Sequence, residues 1–578
     1  MGPGAPVSAP RVPGPARFSR RTLLGAAPPL MLGALGAGCG QHATPAWDGG
    51  WVDAAHERGH LLRPDASTSA GSTAASRGAK AAAPQRCSVA IVGAGVAGLA
   101  AARALLSAGI DDLRVFELED EAGGNARGHV MGGMACPLGA HYLPLPGPQA
   151  HEVAELLHEL GLLRHELGRT LADERHLCHS PQERLWRAGL WTEGLLPHAE
   201  PGSAAQAQYQ RFAGLVADTS RRLAFALPSR RAGWTAGHAA LDAIPFADWL
   251  GRQGLDDPGL RWYLDYACRD DYGAGSASVS AWAGLHYFAS RHGFQAPGGA
   301  GGGRGGDLDD GGHDVGVFTW PEGNAWLTHR LAAPLGKARL RTGAVVRRVE
   351  ALRHGVEIEL WNVQHEQAER WLAQQVVVAL PLPVAMRVVA RPPVALVHAA
   401  AGVTHAPWLV ANLQLDSPLT DKPGAPPSWD NVLQGGAAAA LGYVDAMHQS
   451  TRPVAGPTVL TAYWALGDGD RASVARQRSA LLGEPWRVWA DRVVADLARA
   501  HPDLPHKLAR VDLMRYGHAM SIPAPGVRGS AALAALAAPQ PGRIQYAHAD
   551  LAGYSVFEEA YTLGIAAGRT AAARLRSG

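Results

Sequence analysis

The sequence predicts an α/β protein of two domains, and three observations carry that expectation. The first is an unbroken strand, glycine turn, helix and second strand between Ser88 and Glu117. The second is size, since 578 residues exceed the length at which one hydrophobic core stops growing. The third is a change of pattern. Apolar positions keep helical spacing from about His151 to Arg291, whereas Trp408 to Leu415 and Gly456 to Trp464 alternate like sheet strands. A Rossmann-like domain beside an α+β domain accounts for all three.

The first unit opens with the apolar strand Ser88 to Val92, followed at once by Gly93-Ala94-Gly95-Val96-Ala97-Gly98. Gly93 permits the tight turn, Gly95 lets the backbone approach a pyrophosphate, and Gly98 lets the helix pack close to the strand. The helix through Leu99, Ala102, Leu105 and Leu106 then presents its free N–H groups, with Ala97 in its first turn, to the diphosphate. Leu113 to Glu117 forms the second strand and ends on an acid about 20 residues past the turn, where a carboxylate accepts ribose hydroxyls. Strand, glycines, helix, strand and acid in this order specify a dinucleotide site far better than the glycines alone.

After Glu117 the chain continues Leu-Glu-Asp-Glu-Ala-Gly123-Gly124-Asn125-Ala-Arg127. This run resembles the acid-to-double-glycine segment of the flavin amine oxidase, protoporphyrinogen oxidase and phytoene desaturase superfamily. Those enzymes usually place arginine directly after the glycines, so Asn125 and Arg127 are both candidates for the flavin-facing position. Arg543 to Asp550 is similar to the family's last strand, which ends beside the flavin in an acid, and Glu558-Glu559-Ala560 to its closing helix, here Tyr561 to Leu575. Trp320-Pro321-Glu322-Gly323-Asn324, the strand around Val345-Val346 and Val376 to Pro381 resemble its middle cofactor segment.

The resemblance implies FAD, bound by Gly93, Gly95, Ala97, Gly98, Glu117, Gly123, Gly124, Asn125, Arg127, Val346, Asp550 and Glu559. It also implies an active site drawing on His141 of the Gly139-Ala140-His141-Tyr142 turn, on Tyr516 and His518, and on Tyr554. Relatives that tether flavin covalently use a cysteine in the C-terminal third; here none follows Cys268, so FAD is expected to be non-covalent. The expected organisation is a signal over 1–39, a flexible linker over 40–85, and cofactor-domain segments 86–150, 316–400 and 531–578. The substrate-domain segments are 151–315, mostly helical with a glycine-rich surface loop at 296–316, and 401–530.

Composition sets the remaining bounds. An apolar content of 47% with 18% charged residues describes a globular protein, and a net charge of +2 gives no basis for nucleic acid binding. No acid precedes Asp48, and Ser19-Arg20-Arg21-Thr22-Leu23-Leu24 before an apolar run has the layout of a twin-arginine export signal, which implies a periplasmic or envelope-anchored protein. Leu35-Gly-Ala-Gly38-Cys39 resembles a lipoprotein cleavage box, with Cys39 as the candidate anchor. The cysteines form no Cys-x-x-Cys or histidine-spaced cluster, so no metal is expected.

The chemistry the family implies is hydride removal from a carbon next to an amine nitrogen, with oxygen or a quinone as final acceptor. C–C desaturation, porphyrinogen-type oxidation of an apolar substrate, and flavin binding without turnover are the alternatives. Asp270 and Asp271 are open to two readings, binding a cationic amine or pairing with a neighbour such as Arg269. One departure bears on the acceptor. Many amine oxidases of the superfamily hold a water near the flavin with a lysine where this chain has Pro407-Trp408, and no lysine lies between Lys337 and Lys422.

Overall fold

A computed structural model describes residues 47–52, 56–62, 83–291, 293–296, 316–452 and 454–577. Arg20, Arg21 and Cys39 lie outside them, as does the glycine-rich 296–316 stretch apart from its two end residues. The fold is the two-domain α/β architecture expected, and each domain is organised on one large sheet.

The cofactor-side sheet is assembled from distant segments. Leu340–Arg341, Leu113–Phe116, Gln85–Val92, Gln367–Val378 and Ile544–Tyr546 run parallel in that spatial order. Gln367–Val378 serves two structures. Its first half closes an antiparallel meander with Gly355–Asn362 and Ala344–Leu352, and its second half lies between Gln85–Val92 and Ile544–Tyr546. Val89, Ala90, Ile91 and Val92 are all buried, which a parallel strand covered on both faces requires. One cover consists of Val96–Ser107 and the C-terminal helix Phe557–Ser577. These two helices touch backbone to backbone at Gly564 and Gly568, where a Cβ would lie 2.2 Å from the Ala97 oxygen and 2.5 Å from that of Ala101.

The second sheet has eight strands, in the order Asp48–Trp51, Leu508–Ser521, His405–Leu415, Thr458–Ala465, Ala440–Asp445, Asp430–Leu433, Glu183–Arg187 and Leu190–Glu193. On one face lie Ala204–Arg222, Phe246–Arg252, Pro258–Tyr272 and Ala281–Ala289; Arg471–Gly483 and Trp486–Ala498 cover the other. His405–Leu415 is therefore buried along nearly its whole length. Segment 151–291 carries the helices from His151–Glu159 to Ala281–Ala289 and two hairpins, Leu163–Ala172 and Glu183–Glu193. The second hairpin buries Leu185 and Trp191 and extends the sheet, a strand alternation too short to stand out among helices.

The linker expected over 40–85 needs correction where the structure describes it. Asp48–Trp51 is an edge strand parallel to Leu508–Ser521. Trp47 is buried against Trp486 beneath the Arg487 guanidinium, and Arg515 lies over the Trp51 ring. His56–Leu62 forms a 3-10 turn on the cofactor side. Two tryptophans carry enough apolar surface to hold a strand that composition alone assigns to a tether.

Candidate functional site

A single cavity runs from the cofactor-side sheet into the second domain. Its first part is built by two glycine turns set against each other. Gly93 takes φ 97°, with a would-be Cβ 2.5 Å from the Ala379 oxygen, and a Cβ on Gly98 would lie 1.9 Å from the Gly93 oxygen. Gly95 is the N-cap of Val96–Ser107, which has no side-chain cap. The Gly123 amide donates to the Ala94 carbonyl at 2.9 Å, bringing Gly124 so near that its Cβ would lie 3.2 Å from the Gly95 Cα. The nearest atom to a Cβ on Gly95 is 3.8 Å away, so a side chain there would project into the cavity. A slot of bare backbone before an uncapped helix is what a diphosphate requires.

Glu117 stands beside this slot and is buried. Its two carboxylate oxygens accept from the Ala94 amide at 2.7 Å and the Glu119 amide at 3.0 Å. Burial raises its carboxyl above the usual range, and the two amides oppose that rise. With Phe116, Leu118, Ala344, Val346 and Leu62 it lines the end suited to an adenosine. Cradle and acid together fit FAD.

Of the residues expected to bind the cofactor, Gly93, Gly95, Ala97, Glu117, Gly123, Gly124, Asn125 and Val346 line the cavity. Four others do not, for identifiable reasons. Gly98 serves the helix–turn contact described above. Arg127 turns away to bond the Gly124 carbonyl and pair with Glu119, so Asn125 is the one of the two on the cavity wall; its amide donates to the Ala519 carbonyl at 2.6 Å. Asp550 is fully buried, accepting from the Leu382 amide at 2.9 Å and facing His405 at 2.8 Å. Burial alone would raise its carboxyl, yet His405 and His548 hold it well below the usual range. Glu559 accepts from the Ser229 amide and the Tyr554 hydroxyl. That last bond corrects the placement of Tyr554 in the active site: it is wholly buried behind the wall, and the neighbouring Ser555 to Glu558 reach the cavity instead.

The second part of the cavity is aromatic. A Cβ on Gly139 would lie 2.1 Å from the Asn125 oxygen, so the Gly139 to Tyr142 turn is pressed against the double-glycine segment. His141 stacks on Tyr463 at 4.4 Å between ring centres, with Tyr142 at 5.1 Å and Trp429 at 5.5 Å. Burial drives its pKa down to about 3, so the ring is neutral. His518 also lines the cavity and is also neutral, lowered to about 4 by burial and by the charges of Arg478 and His405. Tyr516 reaches the wall and donates to the Leu138 carbonyl at 2.8 Å.

Four charged groups complete the wall: Asp270, Asp271, Arg291 and Glu558. Arg291 donates to both oxygens of Asp271, at 3.0 and 3.2 Å, and so is already engaged. Asp270 accepts from the Tyr142 hydroxyl at 3.3 Å; burial and the charge of Asp271 raise its pKa to about 7. Arg269, the example of a pairing neighbour in one of the two readings of these acids, pairs with Asp265 and Asp468 instead, whereas Asp271 does find an arginine, Arg291. Glu558 belonged to the closing-helix motif, though Glu559 was the residue expected to face the cofactor; Arg291, Trp429 and Tyr463 carried no local sequence signal, because strand order and helix packing bring them together. Trp408 lines the cavity where relatives were expected to keep a lysine, and no lysine lines it among the described residues.

The wild-type putrescine oxidase bound to putrescine is similar in structure, with a TM-score of 0.58 and 19% identity over 86% of this chain and 100% of that one. Cyclohexylamine oxidase from Brevibacterium oxydans IH-35A matches with a TM-score of 0.59 and 18% identity over 85% and 99%. A putative protoporphyrinogen oxidase from Exiguobacterium sp. 255-15 matches with 0.54 and 15% over 85% and 99%. At these identities the likeness shows the fold. No match was found among curated proteins. The model of flavin-containing amine oxidoreductases matches residues 96–575, from the Val96 helix through most strands of both sheets to the C-terminal helix, and the chain belongs to this family of FAD-dependent oxidoreductases.

Proposed function

We propose that this enzyme oxidises the C–N bond of a small amine. Asp270 carries the reading. It is a half-buried carboxyl on the cavity wall, bonded to Tyr142 beside an aromatic box, and Arg291, the one arginine or lysine on that wall among the described residues, is taken by Asp271. An ammonium group entering there meets an unneutralised carboxylate and ring faces, both of which attract cations. With a pKa near 7, Asp270 can take the ammonium proton, leaving the neutral amine that loses hydride from its carbon. Bound in the cavity, FAD supplies the hydride acceptor. The rings of His141, Tyr142, Tyr463 and Trp408 exclude water and orient the substrate. Two enzymes of similar fold are named as oxidases of amines, which supports the reading. An apolar desaturase substrate would leave Asp270 and Glu558 desolvated against hydrocarbon. Anaerobic mixing with a panel of primary and secondary amines should bleach the flavin; no bleaching by any of them, with bleaching by an apolar polyene precursor, would overturn the assignment.

The FAD is held without a covalent bond on this reading, since none of Cys87, Cys136, Cys178 and Cys268 lines the cavity. The electron acceptor is a quinone or protein in preference to oxygen, because His141 and His518 are neutral, His548 is paired with Asp550, and Arg291 with Asp271. Export by the twin-arginine route, with Cys39 as a lipid anchor, suits a protein that folds around its cofactor before crossing the membrane.

A further inference from the structure

We propose that the N-terminal turn His56–Leu62 is a cofactor-binding element, in which Leu62 covers the adenosine of FAD and Arg58 fixes Leu62 in place. The segment precedes the region matched by the family, which begins at residue 96. Leu62 lines the cavity with Phe116, Leu118, Ala344 and Val346, around the Glu117 carboxylate that suits a ribose. It also packs against the apolar cluster of the meander. Arg58 donates to the Leu118 carbonyl at 2.9 Å and to Asp120 at 3.0 Å, clasping both sides of the loop that follows Glu117.

Upstream of this turn, Asp48–Trp51 is hydrogen-bonded to Leu508–Ser521 in the second sheet, and the Val52 amide donates to the Leu513 carbonyl at 2.8 Å. Residues 47–52 are therefore held on the substrate-side sheet and residues 56–62 on the adenosine pocket. A leucine closing the open side of an apolar purine site removes ligand surface from water, and a guanidinium bonded to a backbone carbonyl and a carboxylate fixes the turn that carries it.

The test compares the wild-type full-length protein, stripped of flavin, with Leu62→Ala and Arg58→Ala in titrations with FAD, ADP and FMN. Loss of a leucine contact of this kind should weaken FAD and ADP about tenfold in Leu62→Ala. FMN, which lacks the adenosine half, should bind as to wild type. Arg58→Ala should weaken FAD and ADP in the same ratio to each other, and Arg58→Lys should recover part of the loss. Unchanged FAD and ADP affinity in both alanine variants overturns the proposal, and so does an equal loss of FMN affinity, which would mark a general loss of structure. Neither readout depends on the substrate, so the amine assignment can fail while this one stands.

Discussion

Replacing Asp270 with asparagine keeps the size of the side chain and removes its charge and its capacity to accept a proton. On the proposed reading the productive pair in the wild type is ionised Asp270 with a protonated amine. Thus kcat/KM should rise with pH through about 7, where Asp270 ionises, and fall near 10, where a free alkylamine loses its proton. The charge-assisted bond from ammonium to carboxylate contributes about 1.5–3 kcal/mol, or roughly 10- to 150-fold in binding. Proton acceptance contributes about 10²- to 10⁴-fold more. At pH 7 Asp270→Asn should therefore lower kcat/KM by about 10³-fold or more. Its profile should lose the limb at pH 7 and climb with the fraction of neutral amine. Anaerobic stopped-flow reduction of the flavin across pH 5 to 10 reads both effects.

The same shift has a consequence for stability. The folded pKa of Asp270 lies above that of the unfolded chain, so its favourable contribution is complete below pH ~4 and is lost as pH rises through about 7. The flavin-free Asp270→Asn protein should unfold at a higher temperature than wild type at pH 8 and at nearly the same temperature at pH 4. An unchanged limb at pH 7 in the variant, or a difference of stability confined to pH 4, would refute the reasoning.

Three further outcomes are expected. Gly95→Val should block loading of FAD by filling the diphosphate slot, and Glu117→Ala should weaken FAD by about 1.5–3 kcal/mol in a fluorescence titration; full occupancy of both would mean that the cofactor lies elsewhere. Flavin reduced chemically should reoxidise slowly in air and quickly with a soluble quinone, and rapid oxidation in air with stoichiometric hydrogen peroxide would remove the case for a non-oxygen acceptor. Changing Arg20 and Arg21 together to lysine should abolish export, measured as periplasmic activity, because receptor reading of the pair does not follow from charge alone.

The cofactor half of the site was legible because its chemistry is local. Gly93, Gly95 and Gly98 act through the turn they occupy, and Glu117 lies one strand away. Arg127 and Asp550 show the limit of that legibility. Both stand where residue type and spacing suit a ligand, yet Arg127 has Glu119 within reach and Asp550 has His405, partners that only folding supplies. The substrate half was less legible for the same reason. His141, Tyr516 and His518 came from short motifs, whereas Trp429, Tyr463 and Arg291 converge from separate strands and a helix end. The tryptophans at 47 and 51 were hidden by their surroundings, since a polar, small-residue stretch dilutes any apolar period.

The way the parallel sheet is completed also sets a timetable. Its strand Ile544–Tyr546, the wall residues Ser555 to Glu558 and the helix locked against Val96–Ser107 by Gly564 and Gly568 all leave the ribosome long after the glycine turn at Gly93. The glycine cradle at Gly93 to Gly98 emerges early and waits, open, for a backing made hundreds of peptide bonds later. The walls of the FAD site are thus complete only when the C-terminal helix has docked, and export through Arg20 and Arg21, as proposed, would have to wait for that docking.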